Sequence, residues 1–504
     1  MNKVKNTSLA VILLLLIIMF GTLVRNYNIE GKGIFFYDEG VYLCSAKAKY
    51  LKIVDKPKIS EKDPVLKEHI GKDVPNYGSG SKVGFVFLIM LSQIIFGLST
   101  HSSFIVSVFF GALTVFLVYL IARRIFDENA ALLSAVILAV SPMHIMYSRC
   151  GLPIAAGIFF LFLAFYFYVL SLGNRRYFYM ILCALMVGVS FTIHYNMLLM
   201  LPLFLGFEVL RLLFVDKESK FKFIKIMGFA AGMAIPIILW QIITLMVKGI
   251  FPVTYFEELR GSFSAIAQQS KYGADPFFFF YFFQKMEGWI VFLFFFAGIF
   301  MLVKRLKRNF NMAEFVLIVL ALFPVIWYGF YPHLRVLRSF ASALPAIAVI
   351  AAFAVISLGK WEKRRVLGKV LASFIIVCIV IFGVLALKPV INLRSNYGEV
   401  VKYIYENNDT KLVSYVDEMY PVFAYYMGDD VIPIGKLGEV MEYSQAETLV
   451  NIFAYNKELE GVTPYKVFKQ VSFSGFNAEG GSKDKYRTDD IPVQDISLYR
   501  TDDL

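Results

Sequence analysis

Long apolar runs separated by short polar clusters dominate the chain. A bilayer-spanning helix needs about 20 mostly apolar residues. Runs of that kind lie near 8–24, 103–122, 130–147, 153–172, 177–193, 197–214, 226–247, 287–303, 313–331, 339–358 and 369–387, eleven in all. One further run, 83–97 (VGFVFLIMLSQIIFG), is short and flanked by polar residues. Beyond residue 387 the pattern changes to alternating helices and strands. Helices are predicted over 396–408, 419–428 (closed by Gly428) and 436–445, and strands over 411–416, 431–435 and 448–456. That alternation predicts a small α/β domain with a parallel core. The remainder, about 457–504, is less regular and ends in acidic sequence. The expected division is therefore a transmembrane region, 1–387, and a soluble α/β domain, 388–504. The tail has no Gly-rich phosphate loop and no catalytic cluster, which favours a docking or acceptor-contacting role over a second active site.

Charge orients the runs. If 83–97 does not span, alternate loops carry the basic clusters: Lys3 and Lys5, then 122–129, 173–176, 216–225, 304–308 and 360–365. Basic loops mark the cytoplasmic side. The loop 25–102, the turns 148–152, 194–196 and 332–338, the loop 248–286 and the tail from 388 then fall outside. The 83–97 segment is expected as a helix lying on or dipping into the outer leaflet. The first apolar run has a basic front end like a signal peptide, but TLVRNYN after Gly21 is a poor cleavage site. An uncleaved first helix with a cytoplasmic N-terminus in a multi-pass cell-membrane protein is expected.

Composition agrees. Of 504 residues, 58% are hydrophobic and 17% aromatic, against about 45–50% apolar in soluble domains. The net charge of +12 invites a nucleic-acid partner, but the cations are confined to short clusters between apolar runs, so none is expected. Four cysteines (Cys44, Cys150, Cys183, Cys378) are too few and scattered for a disulfide framework or metal cluster. Cys183 and Cys378 lie in apolar runs and are expected in the core; a Cys44–Cys150 bridge is the alternative for the other two. His69, His101, His144 and His333 show no ligand spacing, so no metal or other cofactor is indicated.

The stretch FFYDEGVYLCSAKAKYL, 35–51, places Asp38 and Glu39 just beyond the first span. On a helix Asp38, Tyr42 and Ala46 share a face. An N-terminal cap is the simplest use of such acids. On the outer face, however, there is no nucleotide pool, and an enzyme working there draws its activated substrate from the membrane, usually as a lipid phosphate. Candidate phosphate-binding cations on that face are Lys82, Arg149, Arg260, Lys271, Lys285, Arg335 and Arg338; snorkelling at helix ends is the other reading of each. Tyr42, His194 and Tyr195 are weaker candidates for substrate contact. The aromatic run 277–283 fits either a polyprenyl groove or an interfacial belt. A lipid or solute transporter or flippase also has many spans, but it tends to carry ionisable residues at mid-membrane and inverted repeats. Here the span centres carry almost no charge and no repeat is visible. A receptor or assembly factor would leave the acid pair unexplained.

The pattern Asp-Glu-x-x-Tyr-x-x-x-Ala-Lys at 38–47 resembles the GT-C glycosyltransferases, and most closely the branch of protein O-mannosyltransferases and lipid A aminoarabinose transferases. The stretches 81–126, 128–149 (ending Ser-Arg), 188–205 and 338–353 (RSFASALPAIAVIAAF) are similar to family stretches in the same order. The chain departs from the family where Val83 and Gly84 replace a frequent Pro-Pro, and at Ile154, where a second acid is frequent. The resemblance implies a hexosyl- or pentosyl-type transferase using a polyprenyl- or dolichyl-phosphate sugar donor. The acceptor would be a hydroxyl or phosphate of a protein, lipid or glycan, reached with inversion. It further implies Asp38 as general base, Glu39 tuning it or touching acceptor, and Lys82, Arg149 and Arg338 at the lipid phosphate.

The charge pattern carries a direct test of topology. Cysteines introduced at 122–129, 173–176, 304–308 and 360–365 should label only after lysis of intact cells, and those in 25–102 and the tail before it. A tail cysteine that labels only after lysis would sink the outward-facing site.

Overall fold

The computed structural model describes residues 2–58, 74–78, 82–173, 176–215, 222–268, 277–330, 337–360 and 365–407. Within the tail it describes 412–414, 420–428, 431–433, 448–452, 466–468 and 496–500. The helices are α1 (Asn2–Asn26), α2 (Ile29–Lys32), α3 (Tyr37–Ile53), α4 (Val83–Phe96), α5 (His101–Ile125), α6 (Glu128–Ala139), α7 (Pro142–Ser148), α8 (Ile154–Ser171), α9 (Arg176–Ile193), α10 (Met200–Leu210), α11 (Lys222–Met246), α12 (Tyr255–Gln268), α13 (Phe278–Glu287), α14 (Trp289–Arg308), α15 (Met312–Phe330), α16 (Leu344–Leu358), α17 (Arg365–Ile391), α18 (Tyr397–Glu406) and α19 (Tyr420–Met427). Among the described residues ten helices are long and apolar enough to cross a membrane, and the bent pair α6–α7 makes an eleventh. These coincide with the eleven apolar runs. Helix α4 has 14 residues, about 21 Å at 1.5 Å per residue, which is too short to span.

The third run is not the straight span its apolarity predicts: α6 and α7 meet at 62°. Pro142 lacks an amide hydrogen and its ring crowds the preceding turn. Ser141 restarts the helix as N-cap, its Oγ accepting from the His144 amide at 3.1 Å. Two carbonyls released by the break, of Leu138 and Ala139, accept from the Arg25 guanidinium at 3.2 and 3.4 Å. Arg25 also donates to His144 Nδ1 at 2.8 Å. Glu287 at the end of α13 accepts from Ser141 Oγ at 2.8 Å and the Met143 amide at 2.9 Å. The buried Arg25 lies just past the first apolar run, and a bidentate Arg211–Glu208 pair lies toward the end of the sixth. Each charge is tolerated because backbone or an opposite charge meets it.

The tail forms a five-stranded sheet of β1 (Leu412–Ser414), β2 (Val431–Pro433), β3 (Thr448–Ile452), β4 (Lys466–Phe468) and β5 (Ile496–Arg500), in the order β2-β1-β3-β5-β4. β1 pairs in parallel with β2 (Leu412↔Val431) and β3 (Leu412↔Thr448). β5 runs antiparallel to β3 and β4. The expected parallel core is therefore three strands wide and extended by two antiparallel strands, drawn from the region whose pattern is irregular. The helix expected at 436–445 lies outside the described residues. Helices α18 and α19 share one core with the membrane region: Val400, Ile404, Val422 and Phe423 are fully buried in it. All four cysteines are free, so no Cys44–Cys150 bridge forms, and Cys378 is half-buried rather than in the core.

Helix α19 docks on α3. A Cβ at Gly40 would lie 2.6 Å from the Val422 nitrogen and 2.7 Å from the Pro421 carbonyl carbon. Lys47 Nζ donates to the Tyr425 carbonyl at 3.1 Å and Cys44 Sγ to the Pro421 carbonyl at 3.2 Å. Gly40→Ala should therefore push α19 off α3, with a cost of about 1–3 kcal/mol. Faster proteolysis of the tail in purified protein checks it, with Gly206→Ala, whose added methyl meets nothing within 4 Å, as the unaffected control.

Candidate functional site

The acid pair is split by its helix. Phe36 is the extended N-cap of α3, and Glu39 at the third position folds back on it. Its carboxylate accepts from the Phe35 amide at 2.7 Å, the Phe36 amide at 3.2 Å and the Gly151 amide at 2.6 Å, and pairs with Lys32 Nζ at 3.2 Å. Both Glu39 and Lys32 side chains are wholly buried. Asp38, one position earlier, faces a cleft lined also by Tyr42, Lys82, Leu152, Pro153, Ile154, His194, Tyr195, Asn196 and Arg338.

Five segments far apart in sequence converge there. Arg338 sits in the 3₁₀ turn Leu337–Ser339 before α16 and donates through Nη1 to Asp38 Oδ2 at 2.9 Å. That turn is held by Phe340, which stacks on Phe279 of α13 at 5.0 Å and meets Tyr328 edge-on at 6.0 Å; Tyr328 donates to the Asn196 carbonyl at 3.3 Å. Lys82, the residue before α4, lies over the Tyr42 ring at 5.0 Å and the Tyr195 ring at 4.7 Å. Tyr42 is almost wholly buried against Phe85, and its hydroxyl has no hydrogen-bond partner among the described residues. His194 caps the 3₁₀ segment Tyr195–Leu199, its Nδ1 accepting from the Asn196 amide at 3.1 Å.

The electrostatics follow from this company. Burial pushes the Asp38 carboxyl up, but Arg338 and Lys82 together outweigh it and hold the group below the usual carboxylate range. Burial, helped by Arg338 and opposed by Asp38, brings Lys82 down to about 8. Burial and the two cations keep His194 neutral, well below its ordinary value. Burial and the Asp38 charge push Tyr42 well above its own. The cleft thus offers one carboxylate, two cations and neutral donors. Among the described residues no three His, Cys, Asp or Glu side chains group as a metal site would need.

Of the residues singled out from sequence, Asp38, Tyr42, Lys82, His194, Tyr195 and Arg338 come together. Glu39 does not reach the cleft, because it is consumed by the start of α3. Arg149 does not either: it is buried and donates to the carbonyls of Val24 (3.2 Å), Arg25 (3.0 Å), Tyr27 (2.6 Å) and Ile391 (3.4 Å), closing the ends of α1 and α17. Arg260 lies exposed on α12 beside Phe256 and Phe263, in a separate surface groove. Lys285 lies over Tyr281 of its own helix, at 5.8 Å. Within the aromatic run, Phe278, Phe279, Phe282 and Phe283 are buried core, which removes them as a groove wall. His69, Lys271, His333 and Arg335 lie outside the described residues. Sequence reasoning missed Asn196 and the Leu152–Ile154 wall, whose one signal is their place at turns between spans.

The split pair separates by stability. Glu39→Gln strands Lys32 in a buried site and should cost about 3 kcal/mol or more. Asp38→Asn alters a pair that reaches the cleft surface and should cost less, about 1 kcal/mol. Thermal unfolding of the purified variants, followed by tryptophan fluorescence, checks the difference.

The family model for dolichyl-phosphate-mannose-protein mannosyltransferase matches residues 83–242, from α4 to within α11. No curated protein sequence matches the chain. Among solved structures, ArnT from Cupriavidus metallidurans bound to undecaprenyl phosphate superposes with a TM-score of 0.61 at 12% identity, covering 87% of this chain and 92% of that one. The Archaeoglobus fulgidus oligosaccharyltransferase in its apo form gives 0.59 at 14% identity, covering 88% and 69%. The same enzyme in complex with an inhibitory peptide and a dolichol-phosphate gives 0.57 at 14%, covering 88% and 69%. Identities this low carry the fold, and with the family-model match they show that this polytopic chain has the fold of the GT-C glycosyltransferase superfamily.

Proposed function

We propose that the chain is an integral-membrane glycosyltransferase that moves a hexosyl- or pentosyl-type sugar from a polyprenyl-phosphate donor to an acceptor on the extracytoplasmic face, with inversion at the sugar. The observation that carries this reading is the placing of Asp38, Lys82 and Arg338 in one cleft of a membrane fold. In the proposed step Asp38 takes the proton of an acceptor hydroxyl, whose oxygen bonds to the anomeric carbon as the bond from that carbon to the phosphate oxygen breaks. The electron pair leaves with the polyprenyl phosphate. Lys82 and Arg338 hold that phosphate through charge-assisted contacts, which strengthen as charge develops. Charge supports a monophosphate carrier. Among the described residues, one carboxylate and two cations leave the cleft one positive charge in excess. A phosphodiester donor neutralises it, and in the product the extra phosphate charge is offset by protonation of Asp38. The lipid phosphates named with ArnT and with the oligosaccharyltransferase fit the same class of donor.

The one-sided basic clusters support an outward-facing cleft, a cytoplasmic N-terminus and an extracytoplasmic tail from 388. The docking of α19 on α3 supports a tail that braces the site, and the acceptor is a protein, lipid or glycan reaching the cleft beside it.

Purified protein incubated with a panel of polyprenyl-phosphate sugars should yield a glycosylated product by mass spectrometry. Asp38→Asn should lower turnover by about 10²–10⁴, the usual worth of a positioned base. Full activity of that variant would overturn the reading. Lys82→Ala and Arg338→Ala should weaken use of donor more than of acceptor. In wild type, kcat/KM for donor should fall as pH rises through about 8, where Lys82 loses its proton. That limb should be missing in Lys82→Ala. On the acid side the rate should hold until pH drops below the ordinary carboxylate range, where Asp38 takes up a proton.

A further inference from the structure

The two carboxylates of the pair meet their cations in opposite circumstances. Glu39 and Lys32 are sealed, with neither side chain exposed. Asp38 and Arg338 stand at the cleft surface, with 32% and 23% of their side chains exposed. The second pair is therefore able to open without a buried charge being stranded. It also blocks the site: a carboxylate bonded to a guanidinium at 2.9 Å is a poor proton acceptor, because the guanidinium stabilises its charged form. A phosphate is the better partner for that guanidinium, since the planar fork matches two phosphate oxygens.

We propose that Arg338 is a substrate-operated latch on Asp38: it pairs with the carboxylate in the empty cleft and transfers to the phosphate of the incoming lipid-linked sugar, freeing the base only once donor is bound. This rests on the reading of Asp38 as base and of the cleft as a lipid-phosphate site, and adds an order to it: donor first, acceptor activation second. The latch is Arg338 rather than Lys82, because Arg338 is hydrogen-bonded to Asp38 while the Lys82 ammonium lies over the Tyr42 and Tyr195 rings. Among the described residues the other titratable groups facing Asp38 are the neutral His194 and the phenols of Tyr42 and Tyr195, and none of these is a cation able to exchange one anion for another. The turn carrying Arg338 is braced through Phe340 by Phe279 and Tyr328, so the exchange asks only the side chain to swing.

Binding rather than turnover tests it. Undecaprenyl phosphate, titrated into the full-length purified protein and followed by native mass spectrometry, competes with Asp38 for Arg338. Asp38→Asn removes the competitor and should tighten binding by about fivefold, the ratio matching the upper range for solvent-exposed ion pairs. In an Arg338→Gln background, where there is nothing to compete for, the same substitution should change the affinity little. Arg338→Lys, which keeps the charge without the fork, should reduce the gain, and it replaces the glutamine variant if that one does not fold; an undiminished gain there overturns the latch. A gain from Asp38→Asn that persists in full with Arg338→Gln means plain repulsion between carboxylate and phosphate and also overturns it. So does unchanged or weaker binding by Asp38→Asn in the wild-type background, while the lipid-phosphate reading survives. Absence of binding to wild type removes both.

Discussion

The buried Glu39 carboxylate is the contact on which the site depends. Its four donors come from three places: the chain entering α3, Lys32 on α2 and the Gly151 amide in the turn between α7 and α8. A charge in such a place is stable only when every oxygen is met, and when it is met it ties its donors to one geometry. By occupying the third position of α3, Glu39 caps the helix from within and sets its rotation. That rotation turns Asp38 outward to the cleft and leaves Tyr42 one turn further along the same wall. The entering strand is held from the other side as well. Ser395, between α17 and α18, donates its amide to the Lys32 carbonyl at 2.6 Å and its hydroxyl to the Ile34 carbonyl. The backbone of Ser395 comes so close that only a glycine with φ of +67° fits at Gly33.

Around that anchor the chain brings its cations in from a distance. Lys82 arrives at the head of α4, where its ammonium lies over the Tyr42 and Tyr195 rings, and Arg338 arrives before α16 on a turn braced through Phe340. The aromatic seat of Lys82 positions a cation without neutralising it and leaves its charge available to a ligand. The opposite choice is made at Arg25 and Arg149, whose guanidiniums are spent on backbone carbonyls at the bend of the third span and at the ends of α1 and α17. The same residue type thus serves as structure where carbonyls surround it and as a candidate ligand group where a carboxylate and a cleft do.

The tail joins the membrane region through this same helix. One face of α3 carries Asp38 and Tyr42; the other, through Gly40, Cys44 and Lys47, is covered by α19. A domain that buries the back of the helix bearing Asp38 limits the motion of that helix, whatever else it contacts.

Apolar runs long enough to cross a bilayer can do little else, so the eleven spans, the short α4 and the change of character after 387 were all legible along the chain. So was the place of Asp38, Lys82 and Arg338 as charged groups beside apolar runs, since a charge next to such a run must lie at its border. What one dimension withheld is which way each group turns. Asp38 and Glu39 are adjacent and chemically alike, yet one lies in the cleft and the other in the core, because helix phase and the arrival of Gly151 from a remote turn decide it. Arg149 and Arg338 both stand at span ends, and only the packed bundle shows that carbonyls claim the first and Asp38 the second. The antiparallel strands β4 and β5 were invisible for the same reason: a short strand takes its identity from the partner it pairs with, and that partner is named by the fold.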